Sequence, residues 1–234
     1  MGLPIPKVLA PLHGKPLIKH LLESVYASGL DPKPVIVIAP ETEGLFTKEI
    51  GTKCQYVVQP QRLGTGHAVS CARSAMQGTS DAVVVLYGDM PFIKPETIRN
   101  LVDRHTALRP AITMLTNTVP NFFGAYAPFA DFGRVVRSAD GAIQNIVEKK
   151  DATPEQLEIL EVNPSYFCFD SAWLWSTIET LKNNNAQGEY YLVDLVRIAI
   201  ESGKTVRTLD TNPLESIGVN TPEHLEHAHR VSMQ

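Results

Sequence analysis

Asp89 is the residue best placed to do chemistry, at the end of the run "VVVLYGDMP" (residues 83–91). A buried strand that stops at Gly-Asp presents its carboxylate at the strand's carboxyl end, where open α/β sheets bind ligands. A hard anionic oxygen there suits Mg²⁺ completed by phosphate oxygens, or simply ends an ordinary turn. Gly88 lets backbone approach closely, and Pro91 stops the strand. Upstream, "QPQRLGTGHA" (59–68) places Gly64 and Gly66 around Thr65. That pattern frees backbone groups to meet a flat polar ligand at a helix start, or makes a tight loop-to-helix turn. Lys7 stands in the stiff run Pro-Lys-Val-Leu, where Pro6 restricts the backbone and the ammonium is a point charge suited to phosphate. "VEKKDAT" (147–153) gathers Glu148, Lys149, Lys150 and Asp151, a charge cluster that fits a solvated strand end. "NNNAQGEYYLVD" (183–194) is too rich in amides, and broken by Gly188, to be a helix interior, and reads as a loop. His224, His227 and His229 do not share one helical face, so an exposed terminal helix explains them better than a metal cluster.

These residues need a scaffold. Apolar runs at 34–39 and 81–89 read as buried parallel strands. Residues 14–29, 65–76 and 94–108 read as helices, the first with Pro16 in its opening turn and Gly29 closing it, the second with Thr65 as cap. The second half reads as strands at 133–138, 142–148 and 165–170, helices at 171–183 and 190–203, a strand at 205–210 and a polar helix from about Thr221. "YFCF" and "WLW" fit core positions. The expected fold class is α/β: a Rossmann-like open, mostly parallel sheet flanked by helices, with a β-rich substrate-facing portion. With no linker between the halves, residues 1–234 read as a single domain.

Composition narrows the function further. The 234 residues are 44% hydrophobic and 20% charged with a net charge of −4, which fits a packed core and argues against nucleic-acid binding through a basic face. The three cysteines show no metal spacing and fit reduced thiols in the cytoplasm. No stretch of 18 or more apolar residues suggests a membrane span.

Taken in order, "PKVL", "GKP", "Q-x-x-x-LGTGHA", "LYGDMP", "FGR", "VEKKDAT", "NNNAQGEYYLVD" and "GVN" resemble the bacterial N-acetylglucosamine-1-phosphate uridylyltransferases. The resemblance runs from Pro6 to about Arg230 and corresponds to that family's pyrophosphorylase domain. It implies a nucleotidyl transfer in which UTP and N-acetylglucosamine 1-phosphate give UDP-N-acetylglucosamine and pyrophosphate. It further implies that Asp89 and Asn220 hold Mg²⁺ and that Lys7 contacts phosphate. Gln59, Gly64 and Thr65 would read the uracil. Tyr87, Gly88, Gly133, Glu148 and Asn163 would hold the sugar and ribose.

The chain also departs from that pattern. "NPS" (163–165) stands where the family usually has "NTG", and "FGR" where it has "YGR". Pro164 lacks an N–H and Ser165 adds a side chain, so the sugar pocket is expected to be reshaped. This leaves open a uridylyltransferase for another sugar 1-phosphate, or a catalytically impaired nucleotide-sugar binder. Family members open with a strand and a loop of the form L-x-x-G-x-G-T-R-M, and Met1 aligns with that final methionine. The expectation is therefore a domain truncated at its N-terminus, with upstream codons for the strand and loop. The strands around Val35 and Val84 should then show a gap between them or pair directly. The β-helix acetyltransferase domain that often follows in the family has no counterpart in these residues.

Overall fold

The computed structural model describes residues 5–185 and 187–231. Its strands, in chain order, are β1 Pro11–Leu12, β2 Lys15–Pro16, β3 Val35–Ile38, β4 Gln55–Val58, β5 Ala82–Val85, β6 Ile112–Thr118, β7 Gly133–Arg137, β8 Ile143–Val147, β9 Glu161–Asn163, β10 Phe167–Asp170 and β11 Val206–Asp210. The fold is mixed α/β, as the alternation of apolar runs and amphipathic stretches requires.

The expectation of a mostly parallel sheet needs correction. Seven strands form one sheet in the order β5-β10-β6-β9-β7-β8, with β11 against β6. Among the described residues only β11 on β6 and β3 on β4 pair in parallel. The cause is β10, which runs antiparallel to both β5 and β6 and separates two strands that share a direction. β3 and β4 make a separate two-stranded sheet, so among the described residues the strands around Val35 and Val84 do not pair.

β10 shows why the large sheet sits mid-molecule. Phe167 and Phe169 point to one face, among Leu174, Trp175, Leu195 and Val196. Tyr166 and Cys168 point to the other, among Leu21, Ile98 and Leu101. Alternate residues thus bury on both faces, as expected for a strand sandwiched by helices. The aromatic runs "YFCF" and "WLW" are largely core, as read from sequence, with Trp173 packed at its margin. At its far end β6 turns from β10 to pair β9 through Asn117 and Thr118, which attaches the antiparallel β9-β7-β8 meander to the main sheet.

Two expected helices end early for identifiable reasons. Residues 190–203 form a helix only over Asp194–Glu201. The N–H groups of Tyr190 and Leu192 instead bond to Leu63 O (2.8 Å) and Thr65 Oγ1 (3.0 Å), which holds that stretch as a docked loop. The helix expected over 65–76 is split into Thr65–Cys71 and Arg73–Met76, and Gly64, not Thr65, is its N-cap.

The helix Pro95–Leu108 has no side-chain cap of its own at Lys94. Buried Glu215 supplies one from 121 residues away, accepting from Lys94 N–H (3.0 Å), and it also accepts from Thr97 Oγ1 (2.6 Å). Glu215→Ala is expected to destabilise the fold by about 2 kcal/mol, a fall of about 4–8 °C in Tm by calorimetry. A change within error would show that the carboxylate contributes nothing to the helix start.

Candidate active site

The chain leaves β5 at Val85 and turns at Tyr87–Met90, closed by Met90 N–H on Tyr87 O (3.0 Å), which leaves Asp89 buried at the strand's carboxyl end. Val219 N–H donates to Asp89 O (2.9 Å), and this backbone link brings Asn220 alongside. Lys7 opens a 3-10 turn, Lys7–Leu9, secured by Leu9 N–H on Pro6 O (2.8 Å). Its ammonium donates to Asp89 Oδ2 (2.5 Å) and to Asn220 Oδ1. One cation therefore touches both oxygens, and carboxylate and amide face a common point. Gly88 makes room for this turn, since a Cβ there would lie 3.2 Å from Val8 Cγ1 and 3.5 Å from Ile18 Cδ1. The close approach that the sequence suggested at Gly88 is made by the protein's own Lys7 segment.

That common point tests the fit of a divalent ion. The ammonium stands in for a cation between two hard oxygen donors, one of them anionic. Among the described residues no group of three or more His, Cys, Asp or Glu could hold a metal. One carboxylate and one amide oxygen do not cage an ion by themselves, but they suit Mg²⁺, which takes its remaining ligands from phosphates and water. The histidines of the last helix form no such group: His224 Nδ1 accepts Asn220 N–H (3.4 Å), and His229 packs edge-on against His13.

The glycine loop is assembled against the amide-rich segment. Asn185 organises that segment: its Oδ1 accepts from Gln187 and Glu189 N–H (both 3.2 Å), and its Nδ2 donates to Glu189 O (2.5 Å). The segment then docks through Gly66 N–H on Tyr190 O (2.8 Å). Gly64 has φ +102, and a Cβ there would lie 2.7 Å from Tyr190 O, so glycine is required on both counts. Gln59 Nε2 donates to Gly64 O (3.1 Å) and to His67 Nδ1 (3.0 Å), which ties the end of β4 to the loop.

Tyr87, from the same turn as Asp89, lines a cavity of about 340 Å³ together with Thr65, Glu148, Ser165, Gln187 and Tyr191, among others. Register places its back wall: Gly133 pairs with Asn163 and Arg134 with Val147, so Gly133, Glu148 and Asn163 lie together. A Cβ at Gly133 would lie 3.1 Å from Glu148 Oε1, so this glycine leaves space for the carboxylate. The adjacent Arg134 is buried, and among the described residues it makes no ion pair within salt-bridge distance. Its guanidinium donates to the carbonyls of Ala130, Phe132 and Leu157 and lies 4.5 Å over the Phe122 ring, which braces the start of β7.

The cavity is electrostatically uneven. Burial, aided by the charges of Asp151 and Asp194, raises the Glu148 carboxyl above its ordinary range. Burial pushes the Tyr87 hydroxyl up to about 12, while hydrogen bonds from Thr65 and Ser165 act the other way. Lys149 and Lys150 line the same space, with Lys149 held to Asp131 at 2.6 Å.

The residues expected from sequence thus gather in three adjoining places. Lys7, Asp89, Asn220 and Gly88 meet at the strand end. Gln59, Gly64 and Thr65 form the loop. Tyr87, Glu148, Gly133 and Asn163 sit at or behind the cavity. Sequence reasoning placed Ser165 at the sugar pocket but did not single out Gln187 or Tyr191 as lining residues, although both lie in the amide-rich stretch it flagged as unusual.

Residues 1–189 match the family described as the MobA-like NTP transferase domain. The chain is 37% identical over 230 residues to "Bifunctional protein GlmU" of Geobacter metallireducens, covering 97% of this chain and 47% of that protein. The protein of the same name from Shouchella clausii is 40% identical over 215 residues, 92% of this chain and 45% of the relative. That from Clostridium perfringens is 36% identical over 221 residues, 94% and 47% respectively. The chain spans about half the length of these curated relatives. Among the described residues no helix is long and apolar enough to cross a membrane. With a matched region that covers most of its length and carries the Gly64 loop and the Asp89 strand end, the chain belongs to the MobA-like NTP transferase domain family.

Proposed function

We propose that the chain transfers a uridylyl group from UTP to N-acetylglucosamine 1-phosphate, giving UDP-N-acetylglucosamine and pyrophosphate. The observation that carries this reading is the convergence of Lys7, Asp89 and Asn220 on one cation-sized point. Asp89 and Asn220 would hold Mg²⁺. When bound, the ion neutralises charge between the two phosphate groups.

The sugar phosphate is already an anionic nucleophile, so its oxygen attacks the α-phosphorus in line, pyrophosphate leaves, and no protein base is needed. The chain's task is then to position and to neutralise. Lys7 offers a fixed positive charge to phosphate, and leaves its carboxylate partner as it does so. Glu148, backed by Gly133, and Asn163 orient the sugar. Gln59, Gly64 and Thr65 fix the base at a loop already rigid through its bonds to residues 189–192. Such substrates place the reaction in the cytoplasm, where its product would feed cell-wall precursor synthesis. No basic nucleic-acid-binding face and no membrane contact enters the scheme.

The test is pyrophosphate release across a panel of nucleoside triphosphates and sugar 1-phosphates. The expected result is Mg²⁺-dependent release with UTP and N-acetylglucosamine 1-phosphate, abolished by chelator. Binding of UDP-N-acetylglucosamine without release from any pair would make the chain a nucleotide-sugar binder instead.

A further inference from the structure

Three non-glycine residues have a left-handed backbone among those described: His13, Arg109 and Ser165. Two have local reasons. Arg109 (φ +46) follows a helix as its C-cap. His13 (φ +49) and Gly14 (φ +79) make the two-residue turn between β1 and β2, which requires positive φ at both positions. Ser165 (φ +64) caps no helix and closes no two-residue hairpin, and it lines the cavity. It sits in the turn between β9 and β10, and a strained L-residue bordering a cavity points to that site.

Its contacts are equally specific. Ser165 N–H donates to Asn163 Oδ1 (2.9 Å), and Asn163 Nδ2 donates to Ser165 Oγ (3.3 Å). Only a carboxamide oxygen accepts an N–H, so the first bond fixes which way the buried Asn163 amide faces. The second uses one of the two Nδ2 hydrogens and leaves one for a ligand. A glycine at 165 would keep the first bond, release the second, and remove Cβ and Oγ from the cavity wall.

We propose that Ser165 is a specificity-determining and positioning residue: its side chain limits the size of the sugar's ring substituent, and its hydroxyl takes one Nδ2 hydrogen of Asn163 and so leaves the other for the ligand. The inference rests on the nucleotidyl-transfer reading above. It concerns which sugar 1-phosphate is accepted and leaves the uridylyl donor unaffected.

The experiment compares wild type, Ser165→Gly and Ser165→Ala with N-acetyl and N-butyryl hexosamine 1-phosphates at saturating UTP, together with the KM for UTP and Tm. Ser165→Gly is expected to raise Tm and to shift the kcat/KM ratio roughly tenfold toward the bulkier acyl group, with the KM for UTP unchanged. Ser165→Ala keeps Cβ and the backbone bond to Asn163 Oδ1 but removes the hydroxyl that takes one Nδ2 hydrogen. It is expected to raise the KM for the N-acetyl substrate several-fold with little change in kcat. A raised Tm with an unchanged substrate ratio, and an unaltered KM in the alanine variant, would overturn the proposal and leave the transfer reading standing. Where wild type binds UDP-sugars without turnover, calorimetric affinities for UDP-hexosamines bearing the two acyl groups supply the same ratio. Wild type that neither turns over nor binds any of these ligands would overturn both.

Discussion

Asp89→Asn is expected to lower turnover by about 10³-fold while leaving the fold intact. The substitution keeps the shape of the side chain and an oxygen able to accept from Lys7, and the Val219 N–H bond is made to the Asp89 backbone, which is unchanged. It removes the carboxylate that meets Lys7 beside Asn220. Loss of a metal-holding charge in the transition state costs several kcal/mol, and about 4 kcal/mol corresponds to about 10³ in rate. Pyrophosphate release measured beside thermal unfolding checks both halves. Wild-type rates in this variant would remove Asp89 from the chemistry.

Lys7→Met is expected to move two observables in opposite directions. Turnover should fall roughly 10²–10³-fold, the usual cost of removing one charge-stabilising donor. Binding of a divalent ion without nucleotide should tighten, because the ammonium occupies the point that Asp89 and Asn220 share and must leave before an ion enters. The Lys7 side chain is 43% exposed, so solvent screens the pair and it is worth no more than about 1 kcal/mol. The gain in affinity should accordingly reach about fivefold at most. Titration with Mn²⁺ followed by electron paramagnetic resonance reads it directly. Weaker binding in Lys7→Met would show that the lysine helps to hold the ion and does not compete with it.

What the sequence disclosed, and what it hid, follows from how local each signal is. Asp89, the Gly64 loop and the amide-rich turn were legible because each is contiguous and its chemistry is set by near neighbours. β6 escaped notice although it is buried along most of its length. Its polar Thr113, Thr116 and Asn117 interrupt the apolar run. The structure satisfies Thr113 through His105 Nδ1 (3.0 Å), and Asn117 Nδ2 donates to Thr211 O (3.1 Å), both partners lying outside the strand. The reversed direction of β10 was equally hidden, since an apolar run looks the same from either end. The placement of Asn220 beside Asp89 depends on one backbone bond from Val219, for which no local pattern exists. Family resemblance identified Asn220, and geometry then gave the reason. Ser165 is the converse case: its departure from the family pattern was visible, but its left-handed backbone was not.

Lys7 and Asn220 lie 213 positions apart yet share one hydrogen bond. A site stitched from both extremities of the described chain exists only when the whole tertiary structure is in place, so occupancy is thermodynamically linked to global rather than local unfolding. Any ligand that engages both residues should therefore shield the molecule from proteases and stabilise the fold by about 2.7 kcal/mol at a hundredfold excess over its dissociation constant, seen as a raised melting temperature.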